Sequence, residues 1–440
     1  MKVYFDNAAT TPVDSEVLKE ILPYFLKEFG NPGSLHFMGR KAQEALDFSR
    51  KKIADYFGID FENVIFNSSA TEANNLIIRG LAKKFELDNK IQGFEKEIPN
   101  IIVSKIEHES ILETCKELEK TNRATITYLN VDKNGVVDLQ QLKNSLRKET
   151  ILVSIMYVNN ETGVIEPIKE ISKIIKEFKE SKLQAKNQSK YILNDLKYPV
   201  FHTDAVQALN VLKEIKLADL GVDFMTISGH KSYAPKGIAA LLISSAIKDF
   251  KQELLMPLIT GGGQEFGLRA STENVSGIVG LAKAIELIEI SQAKENIKLQ
   301  NFKKALQQGI LKVYPKAIIN SPPNSTNNIL NISFPNFNND MDSKLSFICG
   351  LIDGDGSISI TGNRISITIL GTFDILENVK SIMGSFIDVS NINITKKSKI
   401  YSFCITSSIN DTNSRIIKLY NKVKELNIPL LERKWIKING

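Results

Sequence analysis

Lys231 is the residue whose neighbours best equip it for covalent chemistry. It lies in Ser228-Gly-His-Lys-Ser-Tyr-Ala-Pro-Lys-Gly237, directly after the apolar, strand-like Phe224-Met-Thr-Ile227. A lysine held at a strand end, beside a histidine and a glycine, can meet a cofactor aldehyde. It forms an imine once desolvation or nearby charge favours the neutral amine. The plain alternative is a solvated loop lysine. A second group of residues complements it. His202-Thr-Asp-Ala-Val-Gln207 follows Tyr198-Pro-Val-Phe201, which reads as a buried strand. Asp204 can pair there with a protonated pyridinium nitrogen, so that the ring acts as an electron sink. Gln207 can reach the phenolic oxygen of the same ring.

The elements that must position these groups alternate between strand and helix. Asn67-Ser-Ser-Ala70-Thr71-Glu-Ala-Asn-Asn75 follows the strand-like Asn63-Val-Ile-Phe66 and opens a helix. Small residues at such a turn expose backbone N–H groups to a phosphate, which the helix dipole also favours. Glu107-His108-Glu109 follows Ile101-Ile-Val-Ser-Lys105, so His108 can lie over the ring. Asn159-Asn160-Glu161-Thr-Gly163 follows Ile151-Leu-Val-Ser-Ile-Met156. Taken singly, each motif has a bland reading as a helix cap, a turn or a satisfied polar residue. Together they fall at the C-terminal ends of strands in a β/α alternation, where open α/β sheets bind ligands.

Residues 1 to about 336 resemble the cysteine desulfurases of the class V aminotransferase family, which depend on pyridoxal 5'-phosphate (PLP). The likeness begins at Tyr4-Phe-Asp-Asn-Ala-Ala-Thr-Thr-Pro12 and Phe29-Gly-Asn-Pro32. It runs through the motifs above to Gly261-Gly-Gly-Gln-Glu265 and Leu268-Arg-Ala-Ser-Thr272-Glu-Asn274. The resemblance implies an α/β PLP-dependent transferase fold with a class V aminotransferase-like large domain. It implies Lys231 as the Schiff-base lysine, Asp204 at the pyridine nitrogen and His108 stacked on the ring. Asn160 and Gln207 would hold the phenolic oxygen. The N–H groups of Ala70 and Thr71, with Ser228 and His230, would bind the phosphate. Thr272 would reach the phosphate of a neighbouring subunit, so a homodimer is implied. The implied activity converts L-cysteine to L-alanine and enzyme-bound sulfur for iron–sulfur cluster assembly, with an iron–sulfur scaffold protein as a partner.

The chain departs from that family near its end. The family's mobile-loop cysteine, in a small-residue stretch after a strand like Asn328-Ile-Leu-Asn-Ile-Ser-Phe-Pro335, has no counterpart, and neither has its late carboxylate-binding arginine. The small domain therefore reads as truncated and the desulfurase activity as impaired. Of the three cysteines, Cys115 reads as a core or edge thiol on a helix, Cys349 stands in the motif described next, and Cys404 lies in a strand-like alternation. Phe266 stands where the family usually has a basic residue. The polar stretch from about Glu180 to Lys197 reads as a surface loop.

Phe347-Ile-Cys-Gly-Leu-Ile-Asp-Gly-Asp-Gly356 resembles the LAGLIDADG homing endonucleases, with Asp355 at the position of the acid that ligates a divalent metal. The alternative is a turn or a calcium loop. Downstream, Ser357–Thr361 and Arg364–Ile369 alternate like paired strands, and Phe373–Met383 reads as a helix. Ile392–Thr395 and Ile400–Thr406 form a second strand pair, and Thr412–Leu426 a second helix. The resemblance implies an α+β domain of order αββαββα over residues 342–440, with Mg²⁺ on Asp355 and duplex DNA as partner. Two domains follow, 1–336 and 342–440. A homing endonuclease, or an intron splicing helper, translated in frame with a desulfurase exon is the alternative reading of the whole.

Bulk properties suit two soluble units. The net charge is +6, and residues 341–440 hold 13 Lys and Arg against 9 Asp and Glu, which suits contact with a DNA backbone. Three irregularly spaced cysteines argue against disulfides and zinc and for a reducing compartment. The N-terminus does not read as a signal peptide, and no stretch approaches a membrane span. The expected location is the cytoplasm, or the matrix or stroma of an organelle that encodes the chain.

Overall fold

The computed structural model describes residues 4–91, 97–186, 197–213, 215–247, 254–335, 357–361, 364–371, 373–384, 394–397 and 400–408, with 416, 418, 419 and 421. The chain divides into two compact units, Met1–Ser333 and Phe334–Gly440.

The first unit opens with helices α1 (Ser15–Ile21), α2 (Pro23–Leu26) and α3 (Phe37–Phe57). Strand and helix then alternate: β1 (Val64–Asn67), α4 (Ala70–Ile91), β2 (Asn100–Ser104), α5 (Glu109–Lys120), β3 (Thr125–Leu129), α6 (Leu139–Ser145), β4 (Thr150–Ser154) and α7 (Ile168–Lys186). β5 (Val200–Asp204), α8 (Leu217–Leu220), β6 (Phe224–Ser228), β7 (Ala239–Ile243) and the long α9 (Val275–Val313) follow. The strands form one sheet in the order β1-β7-β6-β5-β4-β2-β3. Only β7 runs antiparallel to its neighbours.

Burial on both faces explains why β1, β2, β4, β6 and β7 are mainly apolar rather than alternating, whereas β3, at one end of the sheet, is partly exposed. Side chains of successive strand residues point to opposite faces. Ile65, Ile101, Leu152, Val200 and Phe224 join a core with α4 and α5. Phe66, Ile102, Val153, Phe201 and Met225 join a second core with α3, α7 and α9. The fold is thus a three-layer α/β structure around a mostly parallel sheet, with its parallel strands ending at one edge. β8 (Ile318–Ile319) and β9 (Ile332–Ser333) form a short antiparallel pair. Residues 180–186, expected in a loop, instead continue α7. Helix-favouring Glu and Lys residues and apolar Leu183 extend its pattern past the polar composition that suggested a loop.

In the second unit β10 (Ser357–Thr361), β11 (Arg364–Gly371), α10 (Phe373–Gly384), β12 (Ile394–Lys397) and β13 (Ile400–Ser408) build a four-stranded antiparallel sheet of order β10-β11-β13-β12. Leu376, Val379 and Met383, at helical spacing, are its buried residues on α10. Phe347–Gly356, with Cys349 and Asp355, lies outside the described residues, so the expected first helix and Mg²⁺ site do too.

Candidate active site

Asp204 closes β5 and is 7% exposed. Its Oδ1 accepts from the Val206 N–H at 3.0 Å, and its Oδ2 from Asn74 Nδ2 at 2.8 Å. Asn74 is fully buried on α4 and donates also to Ser110 Oγ at 2.9 Å. Ser110 Oγ lies 2.9 Å from His108 Nδ1, which accepts from the Ser110 N–H at 3.1 Å. With the amide hydrogens of Asn74 spent on Ser110 and Asp204, the Ser110 hydroxyl donates to Nδ1. That assigns the remaining imidazole proton to Nε2. His108 caps α5 and keeps its ring exposed. Asp204 and His108 are thereby joined through two side chains that sequence reasoning did not single out. Asn74 stood in the quoted Ala-Thr-Glu-Ala-Asn run and Ser110 two residues after His108, but only their contact in space assigns them a role.

The Lys231 turn faces this network. Burial lowers the Lys231 pKa, and Asp204, Glu161 and Asp6 partly oppose the shift. The amine is therefore nearer its nucleophilic form than a surface lysine. The turn is tight: Ala234 N–H reaches the Gly229 carbonyl at 3.1 Å, and a Cβ on Gly229 would meet Ile238 Cγ2 at 2.8 Å. The N-terminal segment straps it down. Thr11 N–H donates to the His230 carbonyl at 2.8 Å, and Tyr233 N–H donates to Thr11 Oγ1 at 2.8 Å. His230 Nδ1 lies 3.2 Å from Thr10 Oγ1, and burial lowers its pKa, with Lys231 and Lys236 adding to the shift. Gln207 Nε2 donates to the Ala8 carbonyl at 2.9 Å, which fixes the amide and leaves its second hydrogen. Asn159 Oδ1 accepts from the N–H groups of Glu161 and Thr162 and pins the turn that carries Asn160. Asn160 itself donates to Glu161 at 2.9 Å.

An anion cradle lies at the same sheet edge. Asn67 of β1 sits opposite Ala239 of β7, which sits opposite Ser228 of β6. Ser228 is 1% exposed, and its Oγ has no partner. Ala70 and Thr71 begin α4, where the first N–H groups lack intrahelical acceptors. A buried hydroxyl without a partner and the Ala70 and Thr71 N–H groups, left over after Ser69 Oγ caps the Glu72 N–H at 3.1 Å, fit a phosphate, so the residues present suit PLP. Glu72 takes up the Ser68 N–H and hydroxyl of this turn, at 2.8 and 2.5 Å, and its charge is balanced by Arg269. Burial raises its pKa, but Arg269, at 2.8 Å, and Ser68 outweigh burial and hold it below the ordinary value. Thr272 is exposed between the Glu265–Gly267 turn and α9. Phe266, in place of the usual basic residue, lies against the Arg50 guanidinium at 5.0 Å.

His202 differs from the other motif residues. It is fully buried in β5, with Nδ1 2.8 Å from Ser154 Oγ and Nε2 3.0 Å from Thr226 Oγ1. Burial pushes its pKa down to about 3, so it is a neutral tie across three strands. Cys115 is buried on α5, and burial pushes its thiol up to about 12. Cys404 lies within β13, opposite Thr368. Among the described residues no cluster of His, Cys, Asp and Glu could hold a metal ion, and no helix is long and apolar enough to cross a membrane.

Sheet, lysine turn and phosphate cradle together define an α/β fold of the PLP-dependent transferase type. The chain belongs to the class V aminotransferase family, whose model matches residues 3–185 and 189–347. It is 42% identical over 334 residues to the cysteine desulfurase IscS of Dictyoglomus turgidum, covering 76% of each chain. A mitosomal cysteine desulfurase of Trachipleistophora hominis is 38% identical over 340 residues, covering 76% of this chain and 70% of that one. Among solved structures, a NifS-like protein shares 30% identity with a TM-score of 0.68, covering 97% of this chain and 99% of its own. A structure described as SspA in complex with cysteine shares 34% identity with a TM-score of 0.64, covering 79% and 86%.

Proposed function

We propose that the first unit is a PLP enzyme of the cysteine desulfurase type, acting on L-cysteine through Lys231. The observation that carries this reading is the convergence of the half-buried Lys231, the Asp204–Asn74–Ser110–His108 chain and the unpartnered Ser228 hydroxyl at one sheet edge. PLP supplies an electrophilic aldehyde and an electron-withdrawing ring. Lys231 would offer the amine that anchors it. Asp204, held by Asn74 and the Val206 N–H, would pair with the ring nitrogen and favour its protonated form. His108, oriented by Ser110, would cover the ring. Gln207 and Asn160 would serve the phenolic oxygen. Ser228, His230 and the N–H groups of Ala70 and Thr71 would hold the phosphate. The exposed Thr272 reaches the phosphate site of a second copy in a homodimer, and released sulfur passes to an iron–sulfur scaffold protein. Reconstituted protein is expected to be yellow, borohydride to fix the cofactor, and Lys231→Ala to bleach it. A wild type that stays colourless after incubation with PLP overturns the reading.

Sulfur transfer needs a thiolate as well as PLP. Cys115, buried and with its pKa raised to about 12, does not supply one near neutrality. We therefore expect sulfide release from L-cysteine with a reductant to be weak. Robust release contradicts this, and its loss in Cys404→Ser would assign the role to Cys404.

For residues 342–440 we propose an endonuclease-like unit that dimerises and binds duplex DNA. The supporting observation is the separate antiparallel sheet with α10 between its strand pairs. In this reading Asp355 binds Mg²⁺. Asp355→Asn should abolish DNA cleavage and spare binding. Cleavage undiminished by that change, or no salt-sensitive DNA affinity, sinks it; binding without cleavage in the wild type favours the splicing helper.

A further inference from the structure

Glu107 is 5% exposed, sits directly before His108 and has no part in the chemistry described above. Its surroundings explain why a carboxyl is buried there. The β2–β4 ladder ends at the pair Val103 and Ser154. Beyond it, the chain after β4 continues against β5: Ile155 N–H donates to the His202 carbonyl at 3.1 Å and Tyr157 N–H to the Asp204 carbonyl at 2.9 Å. Alternate N–H groups of an extended chain point to opposite sides, so Met156 N–H faces the β2 side. β2 itself has ended at Ser104. Glu107 Oε1 takes the place of the missing strand carbonyl, accepting from Met156 N–H at 2.9 Å and from Ser104 Oγ at 2.5 Å. Asn159 Nδ2 adds a second tie to the Ile106 carbonyl at 3.3 Å.

We propose that Glu107 is a positioning residue whose carboxyl extends the β2 edge and so fixes His108 and the Asp204 end of β5 in relation to each other. One side of its contact set leads to the next residue, His108. The other leads through Met156 to Tyr157, whose N–H holds the Asp204 carbonyl. The groups facing it are Asp204 at the end of β5, Glu166 after β4 and the Cys115 thiol of α5. Burial is the main cause that pushes its pKa up to about 8, and Asp204 and Glu166 add to it against the bonds from Ser104 and Met156. Oε2 is buried with no partner. A proton on Oε2 keeps the carboxyl neutral while Oε1 goes on accepting both bonds. An ionised Glu107 would place uncompensated charge beside Asp204.

The consequence for PLP rests on the function proposed above, so the test has one arm with PLP and one without. Glu107→Gln preserves the Oε1 geometry and removes the titration, whereas Glu107→Ala removes both. The Gln variant is expected to bind PLP with the wild-type affinity and spectrum, and the Ala variant to bind it at least about tenfold more weakly, as displacement of a site group costs. An Ala variant that binds as tightly as the wild type overturns the proposal. A folded Gln variant as weak as the Ala variant overturns it too, since a charge would then be needed. The second arm follows thermal unfolding of apoprotein against pH. Below about pH 4.5 both folded and unfolded Glu107 are protonated. Above it the unfolded state ionises first, so the wild type loses stability as pH rises towards 8. The Gln variant does not, so its midpoint advantage should widen from pH 5 to pH 8 and then level off. Parallel curves overturn the neutral carboxyl. If the wild type takes up no PLP, the cofactor reading falls, and this arm decides the state of Glu107 alone.

Discussion

Glu265→Ala should be among the most damaging single changes in the first unit. Glu265 forms a bidentate pair with Arg50 of α3, at 2.9 Å to Nη1 and 2.8 Å to Nη2, with side-chain exposures of 4% for Arg50 and 2% for Glu265. It also accepts from Phe66 N–H at 2.8 Å. The guanidinium lies against the rings of Phe61, Phe66 and Phe266 at 5.6, 4.7 and 5.0 Å, and donates to the Val64 carbonyl. Removing the carboxylate leaves a buried cation with one carbonyl and three ring faces. Breaking one side of such a pair costs about 3–5 kcal/mol, a large share of the roughly 5–15 kcal/mol that holds a domain folded. With an m-value of about 3 kcal/mol/M, the urea midpoint should fall by about 1–1.7 M. Circular dichroism during a urea titration measures this. The double variant Arg50→Met with Glu265→Leu should recover most of the loss, because the uncompensated charge is gone. The same damage should weaken PLP binding, since Phe66 leads into the Asn67–Ala70 turn of the phosphate cradle. The reasoning is refuted if Glu265→Ala is no less stable than the double variant.

Asn74→Leu should cost about 2–3 kcal/mol, because it strips a donor from both Asp204 and the buried Ser110; thermal unfolding and PLP titration check this, and an unchanged PLP affinity counts against the network. Gly229→Ala should impair PLP uptake, since the new Cβ meets Ile238 from both side chain and carbonyl, at 2.8 and 3.1 Å; absorbance after reconstitution reads it. The peptide containing Cys115 should stay unalkylated when the folded protein meets iodoacetamide near pH 8, because burial holds its thiol protonated up to about 12; mass mapping of modified peptides tests it.

The strands β1, β2, β4, β5 and β6 were legible because they are buried on both faces and carry apolar runs, although β5 and β6 also bury His202, Thr203 and Thr226. The partly exposed β3 and the antiparallel β7 were not legible. Asp204 and Ser228 stand at strand ends, and Lys231 just past one, so position alone marked them as candidates. Gln207 was a candidate from its motif, but its bond to Ala8, 199 positions away, was not legible. Asn74 and Asp204 are 130 positions apart, and Arg50 and Glu265 are 215 apart. No local periodicity encodes such pairs, because closing them depends on which strands become neighbours. Phe266 read as a departure from the family pattern, and the ring it sets against Arg50 could be seen only with the sheet assembled.

The two histidines near the site show how far position decides chemistry. His202 and His108 both belong to motifs that follow apolar runs. His202 lies two residues before the end of β5, where both ring nitrogens meet hydroxyls of the flanking strands, Ser154 and Thr226, and no water reaches it. Charging it would bury an imidazolium without a counterion, so its pKa falls to about 3 and it acts only as a neutral cross-tie. His108 comes four residues after β2 has ended, as the cap of α5, with an exposed ring face and one nitrogen engaged by Ser110. Only the second arrangement leaves a ring free to cover a ligand. The difference arises where the strand stops: inside the sheet a polar side chain is consumed by its neighbours, and past the sheet edge it is available to a substrate. Glu107 occupies the step between these conditions, still bonded as a strand residue would be, and it delivers the next residue to the open side.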